Sequence, residues 1–556
     1  MILCTIKSKA QENTFGYRWN MHTTDYFFEA IKDSTEQPSS ILFVCRPNEN
    51  GKIGTLIPVY QLNNDESEIT ISIKYKTQKC KTTCITLNVI GDCERVLNTK
   101  TIPLPNSKNW NSITKKIKIK DTELLNIFIE GAGNDKMFGK LWVSYFNVTS
   151  NGKRLENYAD PKKGITPVNK TNATAITSEQ YQKIPSMQIR IMAIGETIHG
   201  SKTLGTTAFD IIKQRIMKQN CRLVLHEFPM EYSFYVNRYI KNDPHFSFAN
   251  IERYMEGNLS SEQTLSFIQW LRSYNAAHNN EVSMWGIDFE SMDLASSIDF
   301  YEFVKTLTTN IQSAEIDSLA KRFINWELTP KDSLELLEPQ GAVGKWMTSD
   351  ERELMRFYLR GTRSYQENYE RLMLRDGFMA EAAQKIIKTV LKQGETASIY
   401  GHFIHLNYLT AGDMKLLNNR SMGHYMKLAY KEDYQCIALC TYEGETLNAV
   451  SEKSIAISRL ADAPKGSIER AMHETGYPMA YLSTEKLSCS DVFTMRILGN
   501  SNDKQQFFYF MPKARVDGVL FLQQSQPVVK SQATLTRYLN YIDATIRRFL
   551  ESKINR

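Results

Sequence analysis

With 556 residues, of which 42% are hydrophobic and 23% charged, the chain has the balance of a globular protein of two or more domains, far from a disordered composition. The net charge of +7 is dispersed among 61 acidic residues, with no continuous basic helix and no RNA-binding signature, which argues against a nucleic-acid partner. No run of about 18 apolar residues occurs, so no membrane-spanning helix is expected.

The opening MILCTIKSKAQ is too short and too polar for a secretory signal, yet its SKAQ stretch also reads as the tail of a signal begun upstream, so cytoplasmic and exported locations both stay open. From about residue 15 to 150, segments such as ILFVCRP, TLIPVYQL, ITISIKYKT, CITLNVIG, KKIKIK, LLNIFIEG and KLWVSYFNVTS alternate apolar and polar residues between Asn, Gly and Pro punctuation. This pattern predicts an all-β sandwich, jelly-roll-like, over residues 1–150. Such modules contact glycans in many proteins and are purely structural in others, and both readings stand. Residues 151–186 are rich in Lys, Asn, Thr and Pro without apolar periodicity, which predicts a linker.

Over residues 187–556 the pattern changes. Short apolar runs, IRIMAIG, RLVLHEF, VSMWGID, ASIYGHF, QCIALCTYEG and DGVLFLQ, alternate with helix-like stretches, predicting an α/β domain with a largely parallel sheet and flanking helices. The long helical stretch 349–392 is expected to add a helical layer or lid. The nine cysteines, odd in number and scattered, do not spell a disulfide framework; Cys80 and Cys84 lack a second metal-ligand pair, and most are expected to be buried thiols.

Several apolar runs end in polar groups that a purely structural strand does not need. IRIMAIG runs into Glu196 and His199, RLVL into His226 and Glu227, VSMWG into Asp288, and ASIYG into His402 and His405. In a parallel sheet these ends share one edge, where ligands bind. A histidine beside carboxylates suits general-base work near neutral pH, and a second histidine can stabilise a developing oxyanion. Asp288 reads equally as a helix cap or a site residue. His226 should point to the opposite strand face from Glu227 and pack. Arg375 and Asp376, within a long helical stretch, read as a solvated or interhelical ion pair rather than as site residues.

At this point the chain resembles the erythromycin esterase family over roughly its last two-thirds. GETIHGS (195–201) is similar to the GE-x-x-HG motif of that family, and Glu227 follows His199 by 28 residues, where the family places its second glutamate. WLRSYN (270–275), WGID (285–288), RDGFMAE (375–381), HFIH (402–405), SMGHYM (421–426) and PKGSIE (464–469) then follow in the family's order. The resemblance implies a hydrolase of an ester or lactone, such as a macrolide or another small natural product. It implies His199 as the base, Glu196 and Glu227 as its carboxylate partners and His402 as a second essential histidine, with His405 lining the same pocket; Asp288 is a candidate substrate-binding residue from its place at a strand end alone. In that scheme His199 deprotonates water, the hydroxide attacks the ester or lactone carbonyl directly and no acyl-enzyme forms, in keeping with the absence of a G-x-S-x-G elbow. Phe403 stands where the family has Asn, Ile198 where it has Thr, and Ala208 where many members have Arg.

Two other readings compete. Two Glu and three His in one crevice form a donor set for a divalent ion, as in a metal-dependent hydrolase or peptidase, although no HExxH motif is present. A non-catalytic carbohydrate- or surface-binding protein is the other. The favoured expectation is a site without metal or cofactor.

Overall fold

The computed structural model describes, with short breaks, residues 39–58, 67–155, 172–288, 337–408 and 421–530, together with isolated positions such as 20–21 and 29–33. The N-terminal part forms two antiparallel sheets. One runs β1 (Asn20–Met21), β4 (Gly51–Pro58), β9 (Leu124–Gly133), β6 (Cys80–Ile90), β7 (Val96–Pro103); the other runs β2 (Glu29–Asp33), β3 (Ser40–Cys45), β10 (Gly139–Ser150), β5 (Ser67–Gln78), β8 (Asn111–Ile119). Alternation places Ile69, Ile71, Ile73 and Tyr75 of β5 in one core with Ile85, Leu87 and Val89 of β6 and Ile127 and Ile129 of β9. In β10 a register shift between Val143 and Tyr145 keeps Leu141 and Val143 on the core face before it and Phe146 and Val148 after it. The edge strand β7 was not foreseen. Residues 96–101 are exposed, so the sequence VLNTKT carries no apolar alternation to announce a strand.

The larger unit is built on a mixed sheet of nine strands. Its central part runs β15 (Ser283–Asp288), β14 (Cys221–Pro229), β16 (Thr396–His402), β13 (Ile191–Glu196), β17 (Tyr434–Ser451), β22 (Gly518–Ser525), all parallel. At the β22 edge β19 (Met479–Ser483) and then β12 (Ala173–Ala175) pair antiparallel, and β18 (Ser454–Arg459) pairs with β17. The central strands read as unbroken apolar runs because helices cover both faces; every residue of β13 and β15 is buried. The stretch expected to be a linker over 151–186 differs from that reading at its end. Ala173, Ile176, Tyr181 and Ile184 join the large core, and β12 belongs to the sheet; residues 156–171 lie outside the described residues.

The helices that frame the sheet include α1 (Lys202–Lys218), α2 (Met230–Ile240), α3 (Phe248–Met255), α4 (Ser261–Ala277), α5 (Ser349–Glu367) and α6 (Arg375–Val390). Helix α1 is capped by Ser201, whose Oγ accepts from Leu204 N, and ends with Arg215 and Lys218 in its last turn, where they complement the helix dipole. Within the predicted helical stretch, α6 packs against β15 and α5. Among the described residues no helix is long and apolar enough to cross a membrane.

The two units meet at a small apolar seam formed by Ile90 and Leu124 with Val492 and Met511. Beside it Cys93 and Cys489 form a disulfide across 396 residues of sequence, and Cys93 N donates to Cys489 O at 3.1 Å. One bridge is thus present although the scattered cysteines spell no disulfide framework. Cys45, Cys80, Cys221, Cys436 and Cys440 are the buried thiols anticipated, and Cys84 is half-buried. Because a crosslink of this span removes much freedom from the unfolded chain, Cys93→Ser is expected to destabilise the full chain by about 2–4 kcal/mol. Calorimetry with and without reductant checks this: the variant should melt earlier and reductant should no longer matter.

Candidate active site

Four strand ends build the site. In the sheet order β13, β16, β14, β15 stand side by side, so Glu196, His402, Glu227 and Asp288, distant in sequence, fall along one carboxyl edge. Glu196 and His402 are direct register partners. After β13 the chain turns sharply through residues 197–200. Gly200 has φ +73, and a Cβ there would meet Leu447 O at 2.0 Å, so only glycine serves. The turn is pinned by backbone: Leu498 N donates to Thr197 O, His199 N to Leu498 O, and both Leu447 N and Val528 N to Gly200 O.

His199 Nδ1 lies 2.8 Å from Glu196 Oε1. Glu196 is 3% exposed, and its second oxygen accepts from the Tyr400 hydroxyl. Burial works against protonation of His199, but the hydrogen bond and charge of Glu196, with Glu227 beyond, outweigh it and hold the imidazole above its ordinary value. The ring of His402 is 4.3 Å from that of His199, centre to centre. His402 is depressed well below the ordinary value by burial and by the neighbouring His199, so it is neutral. Its Nε2 is buried and has no hydrogen-bond partner among the described residues.

Glu227 projects from β14 to the same side. Gly401 makes room for it, since a Cβ there would come within 2.9 Å of the Glu227 side chain. Its Oε2 accepts from His402 N at 2.5 Å and its Oε1 from Arg375 Nη2 at 3.1 Å. Burial raises its pKa, yet His405, Arg375, His199 and His402 together hold it far below the usual carboxylate range. Arg375 grips Asp288 with two bonds, Nε to Oδ1 at 3.0 Å and Nη2 to Oδ2 at 2.7 Å. His405 places Nδ1 2.7 Å from Asp376 Oδ1 and Nε2 3.4 Å from Glu227 Oε1. Burial opposes its charge, as does Arg375, whose Nη1 lies 3.2 Å from its Nε2, but these two carboxylates outweigh both and push it up to about 9. Asp376 also accepts from Met422 N at 3.0 Å, at the start of α7 (Met422–Tyr430).

All six residues singled out from sequence therefore meet in one cluster. His226 points away from it: its Nε2 is 3.1 Å from Thr264 Oγ1 of α4, and its ring lies against Phe209 and Tyr400. Ala208 is buried on α1. The expectation of a solvated or interhelical ion pair for Arg375 and Asp376 is corrected: both stand at the first turn of α6 and reach Asp288, Glu227 and His405 in the cluster. Tyr400 was missed as well, since an aromatic residue inside a strand reads as core. Among the described residues no group of three or more His, Cys, Asp or Glu is arranged to hold a metal ion.

The erythromycin esterase family model matches residues 216–334 and 349–525, more than half of the chain. The chain belongs to the erythromycin esterase family. It is on this ground an esterase-type hydrolase. The match starts after the GETIHGS turn and takes in Glu227, Asp288, Arg375, His402 and His405. Among solved structures, a succinoglycan biosynthesis protein is 16% identical at a TM-score of 0.50, covering 65% of this chain and 96% of its own. A Bacillus cereus protein is 14% identical at 0.50, covering 65% and 97%. These two share the fold. A mutant erythromycin esterase in its open conformation is 13% identical at a TM-score of 0.43, covering 66% and 98%. No curated protein sequence matches the chain.

Proposed function

We propose that this family member hydrolyses a small ester or lactone, of the macrolide or related natural-product class, with His199 activating water and without a metal ion. The observation that carries this reading is the His199–Glu196 pair at 2.8 Å on the carboxyl edge of the sheet, next to a second histidine. With Nδ1 committed to Glu196, His199 has Nε2 left to take the proton of an attacking water. His402 contributes a neutral nitrogen that accepts a hydrogen bond from that water or from a substrate hydroxyl. His405, held cationic between Asp376 and Glu227, supplies positive charge toward the oxyanion that forms at the carbonyl. Asp288, Glu227 and Arg375 keep these groups in place. The Cys93–Cys489 bridge supports residence in an oxidising compartment.

The test is turnover by the full chain of a panel of macrolides and p-nitrophenyl esters, with and without a chelator. Hydrolysis of panel members, unchanged by chelation, is expected. Loss of turnover on chelation with recovery on adding one specific ion would replace this mechanism by metal activation, and no turnover of any panel member would remove the substrate assignment.

A further inference from the structure

We propose that Tyr400 is a positioning residue for the reaction, completing a Tyr400–Glu196–His199 relay in which its hydroxyl fixes Glu196 and sets how strongly that carboxylate holds the His199 proton. The proposal rests on His199 being the base.

Tyr400 lies on β16 opposite Ile194 of β13 and His226 of β14, and is 2% exposed. Its ring is lodged against Phe209 of α1 and His226, with centroids 5.0 Å and 5.1 Å away. Close approach of α1 closes off the hydroxyl, since a Cβ on Gly205 would stand 3.4 Å from it. A phenol enclosed in this way needs a partner, and so does each oxygen of a buried carboxylate. Each group satisfies the other: the Tyr400 hydroxyl donates to Glu196 Oε2, which leaves Oε1 for His199. Burial and the charge of Glu196 keep the phenol protonated and therefore a donor at all working pH.

Two consequences follow from hydrogen-bond chemistry. With Oε2 anchored, the carboxylate has one orientation, and His199 is held in the tautomer with its proton on Nδ1. A donor at Oε2 also draws charge away from Oε1, so Glu196 pulls less on the His199 proton than a singly bonded carboxylate would. The groups that face His199 are Glu196, Glu227, His402 and His405, and those that face Tyr400 are Glu196, Glu227 and His226. Of these, Glu196 alone is bonded to both.

Tyr400→Phe preserves the ring packing and removes only the donor. In the full chain it is expected to lower kcat for p-nitrophenyl acetate about 10-fold with KM little changed, and to move the acid limb of the kcat/KM profile upward by about 0.5–1 pH unit. The His199 ring resonance, followed by NMR titration, should move upward by the same amount. Incorporating 3-fluorotyrosine at position 400 retains the hydroxyl as a stronger donor and should move both in the opposite direction. The double variant Tyr400→Phe with Glu196→Gln should be no slower than Glu196→Gln alone. Additive losses in that double variant, or a His199 titration unmoved by either change at Tyr400, would overturn the relay even if His199 is essential. Full turnover in His199→Ala would instead overturn the underlying assignment of the base, and the relay with it.

Discussion

Replacing His199 by Ala is expected to lower kcat by about 10²- to 10⁴-fold while KM changes little, because the imidazole acts on the proton of the attacking water and not on the bound ground state. Steady-state kinetics on the best substrate of the ester and lactone panel measures this. The choice among three histidines rests on their surroundings. His405 is pushed to about 9 by Asp376 and Glu227 against the effect of burial, so it holds its proton at neutral pH and has no lone pair to offer there. His402 is depressed by burial and by His199, so its lone pair is free but weakly basic. His199 is raised above the ordinary imidazole value by the hydrogen bond and charge of Glu196, against the effect of burial. Its sign fixes the pH dependence. A base must be neutral to work, so kcat/KM should fall on the acid side, along a limb placed above the ordinary imidazole value, and this limb should vanish from the residual activity of His199→Ala. A variant with unaltered kcat would remove His199 from the chemistry.

What the sequence made legible and what it hid divide along physical lines. The core strands of the large sheet were readable because burial on both faces leaves long apolar runs, and a polar group at the end of such a run stands out; Glu196, Asp288 and His402 are of this kind. His226 and Glu227 were separable because neighbours in a strand face opposite ways. Arg375 and Asp376 stayed hidden for the opposite reason. At the first turn of a helix, charged residues are ordinary, and their partners Asp288 and His405 lie in other elements at separations that carry no periodic signal. Tyr400 looks like any strand aromatic until its hydroxyl is seen against Glu196. The Cys93–Cys489 bridge joins positions 396 residues apart, and connectivity of that range is not encoded in spacing. The role of Leu498, whose carbonyl receives His199 N, belongs to backbone and leaves no trace in residue type.

Arg375→Ala should have the largest effect on stability, about 3–5 kcal/mol, because it removes the guanidinium that two buried carboxylates share. Asp288 is 5% exposed and Glu227 9%, and the guanidinium makes two bonds to the first and one to the second. His405 remains near Glu227 but at 3.4 Å, and it already serves Asp376, so it cannot replace the fork. Denaturant unfolding of both proteins measures the loss, and its pH dependence identifies the cause. In the parent protein Glu227 is held below the usual carboxylate range, so its contribution is fully present above the unfolded value and is lost only as pH falls through the depressed folded one. In the variant Glu227 loses the charge of Arg375 but keeps that of His405 and His199, so it is held down less firmly than in the parent. The acid limb of the variant's stability should therefore begin at a higher pH than that of the parent. Arg375→Lys should lie between the two, since it restores a charge without the planar fork that grips Asp288. An Arg375→Ala protein as stable as the parent, with its acid limb unmoved, would show that water reaches these carboxylates and that the cluster is not held together by charge.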